Sequence, residues 1–103
     1  MQVGRGYNTR RVEFEWDDLK AESNERKHGV SFEEARTVFD NPLARIFEDD
    51  DAVSEHREII IGHSDDHRLL VVCFIENEAA VRLISARPAT RRERQDYEEN
   101  LLL

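Results

Sequence analysis

Between Arg57 and Ala86 three apolar runs follow one another with little between them: REIIIGH (57–63), RLLVVCFI (68–75) and AVRLISA (80–86). Their links, Ser64-Asp65-Asp66-His67 and Glu76-Asn77-Glu78, are too short for the crossover that parallel neighbours require. The three runs must therefore pair as antiparallel hairpins. A stretch as continuously apolar as LLVVCFI also predicts cover on both faces of the sheet. With 103 residues the chain holds one modest core and not two.

The flanking segments supply the layers. LARIFE (43–48) is a further strand, and the acidic run Asp49, Asp50 and Asp51 begins a loop. VEFEW (12–16) alternates apolar and acidic residues, the period of a half-buried strand. Asp17 is placed to cap a first helix that runs to about Lys27, with Gly29 as its left-handed stop. That helix is polar almost all round, with Leu19 and Ala21 its main apolar residues, so packing is expected to hold it weakly. Ser31 to Glu34 reads as a reciprocal capping box opening a second helix. Phe32, Ala35, Val38 and Phe39 give that helix one apolar stripe, and Asn41-Pro42 ends it. Pro88 breaks the last strand, and Thr90 to Glu93 is a second capping box for a terminal helix edged by Tyr97 and Leu101. The order is β-α-α-β-β-β-β-α, an α+β domain over residues 12–103 built on an antiparallel sheet. Residues 1–11, with two glycines and three arginines, are expected to form a flexible arm.

Charge narrows the function. With a net charge of −8, the chain as a whole repels phosphate at long range, which excludes a general nucleic-acid binder. Yet residues 82–94, RLISARPATRRER, hold five arginines against one acid, a local balance of +4. Such a cluster acts within a Debye length of about 8–10 Å. Arg91 and Arg92 fall at the first positions of the terminal helix, where a cation costs about 0.3–1 kcal/mol against the macrodipole. Arg87 ends the preceding strand, so a strand end and a helix start combine into a candidate anion site. The plainer reading is a solvated helix start laced by Arg92–Asp96 and Arg94–Glu98 pairs, with Arg82 on an exposed sheet face.

Other chemistry is thinner. His63 and His67 are four apart but straddle a turn, so they do not form a helical zinc pair. The aspartate run reads as a solvated loop rather than a calcium site, and Cys73 as inert core. Lys27-His28-Gly29 places a cation and a titratable ring at a helix end, which suits the dipole there. No metal or cofactor is expected. A single cysteine, no membrane-length apolar run and no signal-peptide core predict a protein of the reducing cytoplasm.

FEWD (14–17), NERKHGVSFEEA (24–35), VFDNP (38–42), IIIGHS (59–64), RLLVVCF (68–74) and LISARPATRRERQDYE (83–98) occur in an order that resembles the BrnT family of bacterial type II toxins. The resemblance covers residues 12–99 and implies a RelE-like ribonuclease fold that cuts RNA and blocks translation. It also implies a BrnA-type antitoxin, a 2:2 heterotetramer, and repression of the operon through the antitoxin's DNA-binding part. Metal-free RNA cleavage requires a deprotonated 2′-hydroxyl, a held phosphorane charge and a protonated leaving oxygen. The resemblance and the chemistry together nominate Arg68 and Arg87 for holding phosphate, and Lys27, His28 and His63 for proton transfer or charge stabilisation. Ser85, Arg82, Arg91 and Arg92 are nominated for substrate contact. The rival readings are a non-catalytic module whose arginines grip an acidic partner, and a metal-dependent hydrolase.

Overall fold

The computed structural model describes residues 12–49 and 56–101. Along them run β1 (Glu13–Glu15), α1 (Asp18–His28), α2 (Phe32–Thr37), a 3-10 turn (Val38–Asp40) and β2 (Arg45–Glu48). Then come β3 (Glu58–His63), β4 (Leu69–Glu76), β5 (Ala80–Pro88) and α3 (Arg91–Leu101). This is the expected α+β order. The arm at residues 1–11, Asp50 and Asp51 of the acidic loop, and the side chain of Leu101 lie outside the described residues.

The sheet order is β1-β5-β4-β3-β2. β2 to β5 form the antiparallel meander that the short links demand. The sheet is not antiparallel throughout, however. β1 joins the far edge parallel to β5, with Phe14 opposite Val81. Its alternating pattern specifies one buried face but not a partner, and the chain between β1 and β5, through both helices and β2 to β4, is more than long enough for a parallel pair.

Both helix starts expected from capping patterns are present, with one difference. Thr90 and Glu93 satisfy each other: Glu93 N–H donates to Thr90 Oγ1 (3.1 Å) and Thr90 N–H to Glu93 Oε1 (2.8 Å). At α2 only half the box closes. Ser31 Oγ accepts from Glu34 N–H (3.1 Å), but the Glu34 carboxylate is drawn away to Arg68 and Ser64. A charged guanidinium outcompetes a neutral amide for a carboxylate.

The stripe on α2 and the 3-10 turn is buried as expected. Val30, Phe32, Ala35, Val38 and Phe39 pack on Ile60, Leu70, Val72, Phe74, Val81, Leu83 and Ala86. Edge-to-face rings at about 5 Å, Phe14 on Phe39 (5.1 Å) and Phe39 on Phe74 (5.0 Å), bring β1 into the same core. Gly62 lies under this layer because a Cβ there would sit 2.8 Å from Ala44 Cβ. The opposite face carries Leu69, Val71 and Cys73, all buried, and is crossed by α3. α3 is anchored there by Tyr97, which is buried and donates to Leu43 O (2.9 Å), and by Arg45, which donates to Asn100 O (2.8 Å).

α1 is held differently from a packed helix. Leu19 is exposed, and the fixing residue is Asn24, 6% exposed. Its side-chain amide donates to Val30 O (3.0 Å) and Ala86 O (2.8 Å), and its oxygen accepts from Ala86 N–H (3.0 Å). β1 ends opposite Arg82, so the edge of β5 beyond that point has no strand beside it. Asn24 replaces one there, offering an acceptor and a donor as a strand would.

β5 carries a bulge. Cys73 faces Ser85 while Phe74 faces Leu83, which leaves Ile84 as an extra residue. Accordingly Leu83 and Ala86, three apart, both face the α1–α2 core.

Candidate active site

The bulge decides which side the arginine segment faces. Arg82, Ser85 and Arg87 lie opposite Ile75, Cys73 and Val71, alternate residues of β4, so all three point to the α3 side. They share a face but not a spot. Arg82 is about 13 Å along the strand from Arg87, four residue rises on the facing strand, and it has Glu15 3.9 Å away across the β1 edge.

Arg87 meets Glu93 in α3. Nη1 donates to Oε1 (2.7 Å) and Nη2 to Oε2 (2.9 Å), with a longer contact from Nη1 to Pro88 O (3.3 Å). These bonds use the end-on edge of the guanidinium. Among the described residues its side-on edge, Nε–H and the outer Nη2–H, has no partner. That edge is a complete two-nitrogen fork of the kind that matches a phosphate.

Arg68 is on the other side of the sheet. Its Nε donates to Glu34 Oε2 (3.0 Å), and Nη2 donates to Glu34 Oε1 and to Gly29 O (3.0 Å). Here the side-on edge is already closed, and only Nη1, whose two hydrogens diverge, remains. Ser64 completes the cluster by donating to Glu34 Oε2 (2.7 Å). Arg68 thus clasps the β3–β4 turn to the end of α1 and the start of α2. The two arginines nominated together for one phosphate are separated by the sheet.

Lys27 and His28 occupy the last turn of α1, exposed, and make no side-chain hydrogen bond or ion pair among the described residues. Asn24 ties that helix to Ala86, so its last turn borders the end of β5. His63 is half-buried on the α3 side, its ring edge-on to Tyr97 at 5.8 Å. By register and strand spacing its Cα is about 12 Å from that of Arg87. Arg91 and Arg92 open α3 and are exposed. The Arg92–Asp96 and Arg94–Glu98 pairs do not close to ion-pair distance. The structure therefore gathers Arg87, Ser85, His63 and the arginine helix start on one face, and leaves Arg68 on the other. No group of three or more His, Cys, Asp or Glu side chains is placed to hold a metal among the described residues.

Two carboxylates went unnoticed in the sequence as partners of these arginines. Hydrogen bonds from Arg87, helped by Thr90 and opposed by burial, hold the Glu93 carboxyl down to about 2. Arg68, with help from Ser64, lowers Glu34 in the same way. In return each carboxylate raises its arginine. Glu93 was legible as a cap; its reach back to Arg87 follows no helical or strand period. Asn24 gave no signal at all, being one polar residue in a polar helix.

Fold and site define a small α+β protein that presents an arginine fork beside a helix start, with no described helix long and apolar enough to cross a membrane. The family model described as "ribonuclease toxin, BrnT, of type II toxin-antitoxin system" matches residues 16–93, and the chain belongs to that family. Among solved structures, the ribonuclease toxin BrnT of Brucella abortus is similar in fold, with a TM-score of 0.61 at 24% identity, over 78% of this chain and 99% of that one. No curated protein sequence matches significantly.

Proposed function

We propose that this protein is an endoribonuclease that cleaves RNA by attack of the 2′-hydroxyl on the adjacent phosphate, without a metal, and so blocks translation. The observation that carries the reading is the open side-on fork of Arg87, fixed at a strand end beside the start of α3. Arg87 holds the non-bridging oxygens as charge accumulates on the phosphorane. Ser85, on the same face, contacts the substrate, and Arg91 and Arg92 draw the backbone in. His63, on that face too, is the favoured proton carrier; Lys27 and His28 approach from the edge of β5. Arg68, whose forks are filled, serves here as a clasp that positions the end of α1.

Membership of a type II family supports a protein antitoxin as partner. We assign it to the BrnA type, in a cytoplasmic 2:2 assembly whose DNA-binding part represses the operon. The test is cleavage of a defined RNA by the purified protein and by Arg87→Ala. The parent should cleave in EDTA and leave a 2′,3′-cyclic phosphate. Arg87→Ala should be slower by on the order of 10²–10³, as for loss of one oxyanion-stabilising donor. Undiminished cleavage by Arg87→Ala, or activity abolished by the chelator, would overturn it.

A further inference from the structure

We infer that Glu93 is a positioning residue for RNA cleavage: by gripping the end-on edge of Arg87 it turns the side-on edge toward the substrate phosphate. The inference rests on Arg87 being the phosphate-holding residue.

Glu93 is itself unusually well fixed. Its backbone N–H donates to Thr90 Oγ1, and its Oε1 accepts from Thr90 N–H as well as from Arg87 Nη1. Its Oε2 is left to Arg87 Nη2. One carboxylate thereby joins a helix start to a strand end. An arginine on a strand end would otherwise sample several rotamers, and a fork that must meet a phosphate loses rate when it wanders. Capping alone does not account for the arrangement, since glutamine at this position of the box caps as glutamate does. What glutamate adds is a second acceptor oxygen with full charge, which a parallel pair of guanidinium N–H groups requires.

The same carboxylate has an opposite effect on ground-state binding, because it partly neutralises Arg87. Loss of the charge should therefore separate two kinetic parameters. Glu93→Gln should lower kcat by about 10- to 100-fold, since an ångström of misplacement has that order of effect. KM should stay level or fall, because the freed guanidinium attracts RNA more strongly. Thr90→Ala serves as the control: it removes the Oγ1 half of the cap but leaves the two Arg87–Glu93 bonds and the Thr90 N–H bond to Glu93, so it should lower the thermal midpoint while lowering kcat far less than Glu93→Gln does. The two variants and Arg87→Ala are assayed on one RNA, well below all their midpoints. Adding Glu93→Gln to Arg87→Ala should cost nothing further.

If Arg87→Ala cleaves as well as the parent, the site reading itself fails. If Arg87→Ala is crippled but Glu93→Gln matches the parent, or loses no more than Thr90→Ala, only this inference fails. A rise in kcat for Glu93→Gln would also overturn it, by making the carboxylate a competitor of the phosphate.

Discussion

Asn24 is a single side chain on which both the seat of α1 and the end of β5 depend. It makes three hydrogen bonds in a setting where Ala86 is fully buried, and two of the three are to Ala86. Asn24→Ala removes all three and leaves the N–H and C=O of Ala86 without that partner. At about 1 kcal/mol net per bond, plus part of the penalty for orphaned buried groups, the loss should be about 3–4 kcal/mol. For a domain of this size that lowers the thermal midpoint by about 12–30 °C. Asn24→Asp keeps the shape of the side chain and changes only its donor. Its oxygen still accepts from Ala86 N–H, but the other now faces the carbonyls of Val30 and Ala86. At pH 7 the aspartate should be at least as damaging as alanine, since it buries a charge against two acceptors. Its folded pKa must then lie above the unfolded value, so stability relative to the parent should be recovered as pH falls through that raised pKa. Urea unfolding of parent and both variants at pH 7 and pH 5 measures this. Asn24 does not hold α1 and β5 in this way if Asn24→Ala stays within about 1 kcal/mol of the parent, or if Asn24→Asp is the more stable variant at pH 7 and shows no gain on acidification.

Three further outcomes are expected. Gly62→Ala should lose about 1–3 kcal/mol in urea unfolding by overpacking, because the new methyl meets Ala44 Cβ at 2.8 Å and Ala44 Cα at 3.2 Å, and backbone has to yield. Arg91→Glu should raise stability by about 0.3–1 kcal/mol, since an acid then meets the helix start, while weakening RNA binding in a salt-dependent filter or anisotropy assay. Glu93 and Glu34 both have folded pKa values below their unfolded ones, so their contribution is complete above the ordinary glutamate range and is lost as pH falls, for Glu93 toward about 2. Thermal midpoints from neutral pH down to that region should therefore fall more steeply in the parent than in a Glu34→Gln, Glu93→Gln double variant.

The two capping boxes mark how far local pattern carries. Ser31 to Glu34 and Thr90 to Glu93 are the same motif, and both helices start where it says. Only one box closes fully, because Arg68, thirty-four residues further on, competes for Glu34. Periodicity likewise located β1 without naming its neighbour, since alternation describes a face and not a partner. The meander was legible because short links leave one way to pair. Of the candidate site, the place of Arg87 at a strand end before a capped helix was legible in the sequence. The site's division across the sheet was not. That depends on whether Arg68 turns to α2 and on an extra residue in β5, neither of which a charge pattern encodes. Asn24 acts across sixty-two residues on a backbone edge that exists only once the strands are assembled.

The extra residue in β5 makes the length of that strand a chemical variable. A residue gained or lost in the Ser64–His67 turn would alter a loop and little else. Deleting Ile84 would remove the bulge and make Leu83 and Ser85 consecutive residues opposite Phe74 and Cys73, so Ala86 and Arg87 would keep their faces. With Ile84 kept and the strand re-paired in simple alternation, every position after Leu83 would instead trade faces. Ala86 would then pass to the α3 side, away from Asn24's layer, and Arg87 would turn toward the α1–α2 core, away from Glu93. A relative with a one-residue gap at Ile84 can therefore keep an arginine at the same place in space on a regular strand, whereas one that keeps Ile84 but loses the bulge cannot, even where every letter matches.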